Sequence, residues 1–257
     1  MNSSYFGSAG KQLFGMYHPA SGPQSREVGV LLCYPGVQEY MYSHWAYRNL
    51  AAQLSRAGFH VLRFDYYATG DSAGDSRELT LAQGQEDIAT AAQELKDVAG
   101  VSRVSAVGMR LGAALLALAS SRGLGLEDVV LWDPVVSGAE YVQELTALEA
   151  SQRRAWRQPA PVDPEVLLGY PFPPSLRAEL QALDLLGLRA LGARRAVLVL
   201  TEQKPAYAAL EKQLASSGSV VETLRVTAPP GSSPTEGALL SDRALQSMTA
   251  ALTRRAA

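Results

Sequence analysis

Cysteine, histidine and net charge are all scarce in this chain, and each scarcity removes a class of function. Cys33 is the one cysteine among 257 residues, so no internal disulfide can form and no multi-cysteine zinc site exists. The formal charge is -2 with no basic stretch, which argues against a nucleic-acid or anionic-membrane surface. The longest apolar runs fall far short of the roughly 20 residues that a membrane-spanning helix needs. Met1 to Lys11 is polar and glycine-rich, unlike the charged and apolar regions of a secretory leader. No metal-ligand cluster, phosphate-binding P-loop or dinucleotide fingerprint occurs, so neither a metal nor a cofactor is expected. These exclusions lead to the expectation of a cytoplasmic protein without nucleic-acid or membrane partners. A homodimer is allowed, and the oligomeric state is not fixed.

What is present is an ordinary globular composition, 47% hydrophobic and 19% charged, in a length that one α/β domain can use in full. Apolar runs of strand length alternate with helical patterns, the signature of βαβ units and a mostly parallel sheet. Strands are expected at Gln12 to Tyr17, Val28 to Cys33, His60 to Tyr66, Val104 to Gly108, Val129 to Trp132, Ala196 to Leu200 and Val220 to Val226. Helices are expected from Ser43 to Ala57, after Thr80, from Leu111 to Ser121 and from Asp242 to Arg254. Thr80 is a cap, with Ile88, Ala91, Ala92 and Leu95 on one face of its helix. From Gly138 to Leu191 the alternation breaks, with proline-rich stretches at 159–164 and 171–174. This insert reads either as a helical cap over the strand ends or as a crossover helix with a long loop. The rest of 1–257 reads as the single domain that carries it.

The strand ending at Gly108 runs through Met109, Arg110, Leu111 and Gly112 straight into a helix. Strand, tight turn and helix with glycines on both flanks is the setting of a nucleophile elbow, where the middle residue projects above the sheet. A nucleophile there would be Ser, Cys or Asp. Arg110 stays protonated and has no attacking lone pair. A second stretch, Gly70-Asp71-Ser72-Ala73-Gly74, matches G-x-S-x-G by spelling, but no helix follows until about Thr80. Ser72 therefore reads as part of a glycine-rich rim rather than as an elbow.

The segment Phe64 to Gly74 resembles the Asp-x-x-Gly-x-Gly-x-Ser loop of serine aminopeptidase-like α/β-hydrolases. The elbow Gly108 to Ala113, the segment Gln38-Glu39-Tyr40 to His44, and Trp132-Asp133-Pro134 are similar to a bacterial subgroup that includes exosortase-associated hydrolases. The resemblance covers most of residues 28–255. It implies an α/β-hydrolase fold: a mostly parallel sheet flanked by helices, here with a helical cap insert. It also implies that the loop after Pro35-Gly36 supplies an oxyanion-hole N–H and that a His follows the last strand. The loop Thr227 to Leu240 holds no His; the chain has only His18, His44 and His60. His18 is read as surface and His60 as structural. His44 reads either as facing the pocket or as a surface helix start. Lys204 stands about where the acid would be expected, and Asp133 occupies a variant acid position. Asp133 is thus a candidate ion-pair partner for Arg110, or else a turn cap with Pro134.

A cation at a helix N-terminus needs an anion near it. That anion is either Asp133 or a ligand carboxylate or phosphate held by Arg110 and helix N–H groups. The candidate catalytic residues are Arg110, His44, Asp133 and Asp71. The candidate substrate-binding residues are Val37, Tyr40, Ser72, Met109, Leu111 and Trp132, with the N–H groups of Val37 and Leu111 as an oxyanion cradle. Three functions follow. One is a non-hydrolytic or atypical enzyme of isomerase, lyase or cyclase type on an anionic or acyl small molecule. The others are a catalytically silent ligand-binding or scaffold protein and a serine hydrolase with a non-standard nucleophile.

Overall fold

The computed structural model describes residues 1–36, 38–156, 163–227 and 242–255. Val37 and most of the loop between Thr227 and Leu240 lie outside these residues, as do 159–162 of the proline-rich stretch.

The chain opens with two strands, Asn2–Phe6 (β1) and Leu13–His18 (β2). Val28–Cys33 (β3) leads to helix Glu39–Arg56 (α1), and His60–Phe64 (β4) leads to Leu81–Ala99 (α2). Arg103–Met109 (β5) runs into Leu111–Ser121 (α3). Asp128–Trp132 (β6) is followed by Gly138–Ala155 (α4), a hairpin of Val166–Leu167 (β7) and Tyr170–Pro171 (β8), and Pro174–Ala182 (α5). Arg195–Leu200 (β9), Pro205–Ser216 (α6), Val220–Arg225 (β10) and Asp242–Arg255 (α7) complete the fold.

Eight strands form one sheet in the order β1-β2-β4-β3-β5-β6-β9-β10. β2 is antiparallel to both β1 and β4, and every other pairing is parallel. Every residue of β3, β6 and β9 is buried. Strands covered by helices on both faces read as unbroken apolar runs, which is why these were visible in the sequence. At the strand N-termini, Arg195 bonds Asp128 at 2.8 Å and Glu222 at 2.9 Å, tying β6, β9 and β10 together. No helix among the described residues is long and apolar enough to cross a membrane.

Three expectations are corrected. β1 was not foreseen, because its five residues are mostly exposed and polar. α1 begins at Glu39 rather than Ser43; Glu39 in the first turn suits the helix dipole, and an apolar pattern cannot signal that. His18 is buried, not at the surface, and accepts a 3.1 Å hydrogen bond at Nε2 from Arg63 Nε.

Between β6 and β9 the described part of the insert carries the helices α4 and α5 and the two-residue strands β7 and β8. α4 packs on α5, and α5 packs on α2. Glu179 of α5 accepts a 2.7 Å hydrogen bond from the Leu81 N–H, one of the α2 first-turn donors that lack a partner within the helix.

Candidate functional site

The elbow is built as its sequence requires. Arg110 has φ 52° and ψ -118°, a backbone conformation that costs a non-glycine residue about 1–3 kcal/mol. A Cβ on Gly108 would lie 2.6 Å from the Gly112 carbonyl oxygen. One on Gly112 would lie 2.6 Å from the Cys33 carbonyl oxygen and closer still to that of Tyr34. The turn thus holds β5, α3 and the end of β3 in direct contact, and only glycine fits at its flanks.

The side chain at its apex is closed off. Arg110 Nε donates to Glu39 Oε1 at 2.9 Å, and Nη2 donates to Glu144 Oε1 at 2.6 Å. Its guanidinium carbon lies 5.3 Å from the centre of the Tyr141 ring, and the Tyr141 hydroxyl donates to Glu39 Oε2 at 3.0 Å. Burial opposes the charge, but Glu39 and Glu144 outweigh it and hold the guanidinium pKa above its ordinary value. Lys204 pairs with Glu202 at 2.9 Å and reaches Glu144 at 4.0 Å, which extends the network to the start of α6.

Asp133 is not the partner of Arg110. Its carboxylate accepts from the Thr201 N–H at 2.8 Å and the Thr201 hydroxyl at 2.6 Å, joining the ends of β6 and β9. Burial raises its pKa, and the Thr201 bonds offset part of that. Glu39 and Glu144 reach the guanidinium from α1 and α4, so Asp133 is left to satisfy the strand ends.

A cavity of about 350 Å³ lies beside the elbow, between the first turn of α1, the loop after β4, the start of α3 and the β8–α5 part of the insert. Leu111, Tyr40 and Ser72 line it; Arg110 does not. Arg110 borders instead a narrow cleft of about 30 Å³ with Tyr141, Glu144, Lys204 and Tyr207. Met109 and Trp132 are sealed in the core and line neither space.

The remaining candidates gather around Asp65 at the end of β4. Tyr40 Oη donates to Asp65 Oδ1 at 2.7 Å, and the Asp71 N–H donates to Oδ2 at 3.1 Å. Asp71 itself is exposed. Burial raises the Asp65 pKa, and the bonds from Tyr40 and Asp71 act against it. Gly70 has φ 54°, and a Cβ there would lie 2.6 Å from Tyr40 Oη, so glycine lets the loop close over the pair. The Ser72 hydroxyl donates to the Asp65 carbonyl at 2.7 Å and accepts from the Phe14 N–H at 2.8 Å, so it braces the loop. The His44 ring packs 4.6 Å from Tyr40 and 5.0 Å from Tyr34 without lining the cavity, and burial lowers its pKa. His60 bonds Tyr17 and Ser25, as a structural residue would.

Sequence reasoning missed Glu39, Tyr141 and Glu144 as Arg110's partners. Glu39 stood inside the quoted Gln38-Glu39-Tyr40 segment, and a buried cation requires an anion. Nothing local marked Glu144, since only the path of the insert brings α4 over the elbow. Among the described residues no group of three or more His, Cys, Asp or Glu side chains converges as a metal site would.

The sequence matches no protein-family model and no curated protein. Solved structures match over nearly the whole chain. One is the alpha/beta hydrolase domain-containing protein 10 from mouse, at TM-score 0.63 and 15% identity, covering 99% of this chain and 98% of that one. Est1E from Butyrivibrio proteoclasticus with ferulic acid bound matches at TM-score 0.66 and 14% identity, covering 98% and 96%. The proline iminopeptidase from Mycobacterium smegmatis matches at TM-score 0.67 and 12% identity, covering 99% and 97%. With its mostly parallel eight-stranded sheet between helices, the chain has the α/β-hydrolase fold. Identities this low speak to fold alone.

Proposed function

We propose that this chain is a non-hydrolytic member of the α/β-hydrolase fold that binds a small molecule in the cavity beside a closed elbow. One observation carries the reading: the side chain at the nucleophile position is a guanidinium held internally between Glu39 and Glu144. A nucleophile needs an activating base within hydrogen-bond reach. Arg110 is no nucleophile, and the Ser72 hydroxyl is spent on backbone groups. The insert serves as a lid over the cavity, supported by Tyr170, Pro171 and Leu176 in its wall. The reading places the protein in a reducing cytoplasm, which suits a single buried thiol at Cys33. Glu39 and Glu144 already neutralise Arg110, so its guanidinium is not available to clamp an anionic ligand.

The test combines a fluorophosphonate probe with a panel of p-nitrophenyl esters. No serine should be labelled and no ester hydrolysed above the buffer rate. Covalent labelling of Ser72, or turnover that a Ser72→Ala variant loses, overturns the reading.

A second reading has one observation in its favour. A buried carboxylate, Asp65, is hydrogen-bonded to a tyrosine in the cavity wall, which is the material for proton transfer in an isomerase or lyase. It requires a chemically altered product from whatever molecule the cavity takes up. Recovery of that molecule unchanged after incubation ends it.

A further inference from the structure

Building on this ligand-binding reading, we infer that the cavity selects an uncharged, hydrocarbon-rich molecule bearing a hydroxyl donor, an alcohol or a phenol, and rejects carboxylates and phosphates. None of the 19 described residues that line it is charged. An anion entering it would shed its hydration and find no compensating cation. The cation adjacent in sequence to Leu111 is Arg110, already neutralised by Glu39 and Glu144. A negative charge stands behind the wall, the Asp65 carboxylate bonded to Tyr40.

The three wall hydroxyls grouped around Asp65, those of Tyr40, Thr69 and Ser72, favour a donor on the ligand. Each hydroxyl carries a single hydrogen. Tyr40 gives its hydrogen to Asp65, Thr69 to the Tyr66 carbonyl at 2.6 Å, and Ser72 to the Asp65 carbonyl at 2.7 Å. What Tyr40 and Thr69 retain is acceptor capacity. Donation to a carboxylate makes Tyr40 Oη the stronger acceptor, because chained hydrogen bonds polarise one another. Leu81, Leu111, Leu115 and Leu176 supply an apolar body for the rest of the ligand. A dry cavity of about 150 Å³ takes one benzene. The cavity here, at about 350 Å³, therefore suits roughly a dozen carbon atoms.

The test uses the full chain at pH 7 with three probes built on one naphthalene ring system: 2-naphthol, 2-naphthoate and 2-methoxynaphthalene, measured by titration calorimetry and thermal shift. 2-Naphthol should bind roughly ten-fold or more tighter than either of the others. Tyr40→Phe should remove its advantage over 2-methoxynaphthalene. Leu79→Trp, at a half-buried cavity position, should weaken all binding with the circular dichroism spectrum preserved. Equal or tighter binding of 2-naphthoate overturns the charge argument. Equal binding of 2-methoxynaphthalene overturns the hydroxyl argument, and no binding of any probe up to its solubility overturns both. Ester hydrolysis by the same preparation would instead remove the non-hydrolytic reading and leave this selectivity standing.

Discussion

Arg110 and Glu39 meet at 2.9 Å with 9% and 4% of their side chains exposed, one at the apex of the elbow and the other in the first turn of α1. Such a pair gains little over a well-packed apolar substitute, but breaking it strands a charge. Glu39→Ala should therefore destabilise the fold by about 3–5 kcal/mol in urea denaturation at pH 7. The Glu144 side chain is 45% exposed, so Glu144→Ala should cost only about 1 kcal/mol or less. The double variant Arg110→Met with Glu39→Met should recover most of the loss. A double variant as unstable as Glu39→Ala would show that the elbow depends on the charge itself.

Arg110→Ser would place a hydroxyl on a backbone already bent for a nucleophile. It should nevertheless stay unreactive toward fluorophosphonates, because the chain's three histidines lie elsewhere: His18 on β2, His60 on β4 and His44 against Tyr34 and Tyr40. Intact-mass spectrometry after probe treatment should show the unlabelled mass. A stoichiometric adduct at position 110 would mean that an unforeseen group activates it.

The flanking glycines give a steric counterpart. A Cβ at Gly112 would strike the Tyr34 and Cys33 carbonyl oxygens, both backbone atoms that cannot rotate away. Gly112→Ala should cost about 3 kcal/mol or more, in the range of severe overpacking. Gly123 has φ 91° but nothing within 4 Å, so Gly123→Ala should cost only about 1 kcal/mol, the strain of the left-handed backbone. Similar losses for the two in thermal denaturation would mean that the turn yields more than its contacts suggest.

Much of the fold was legible because fully buried parallel strands announce themselves, and β3, β6 and β9 read as unbroken apolar runs. The elbow was legible because Gly108 and Gly112 mark a close approach of backbones. The partners of Arg110 were not legible. Glu39 and Glu144 are 71 and 34 residues away in the chain, and only tertiary packing brings them to one guanidinium. Asp133 sat at the expected strand end, yet the Thr201 N–H and hydroxyl across the β6–β9 gap took up its carboxylate. That no described residue lining the cavity is charged was equally hidden, since it depends on which faces of α1, the β4 loop and the insert turn inward.

His18 gives the fold a pH dependence with a definite sign. Its Nε2 accepts from Arg63 Nε and must be unprotonated to do so. Burial, reinforced by the Arg63 charge, lowers its pKa from 6.5 to about 4. The folded state thus binds fewer protons than the unfolded chain between those values. The stability this group confers is complete above pH 6.5 and is lost as pH falls toward 4, amounting to about 3 kcal/mol. Burial lowers His44 and His60 as well, in the same sense. Asp65 and Asp133 are raised by burial and act oppositely, losing stability as pH rises through their folded values. A direct pH profile mixes these contributions, so the informative quantity is the difference between the native chain and His18→Gln, whose amide oxygen can still accept from Arg63 without titrating. Urea midpoints taken from pH 7 to pH 4 should converge for the two proteins as the pH falls. Parallel profiles would show that His18 takes up its proton in the folded state as readily as in the unfolded one, and that the Arg63 contact does not hold it neutral.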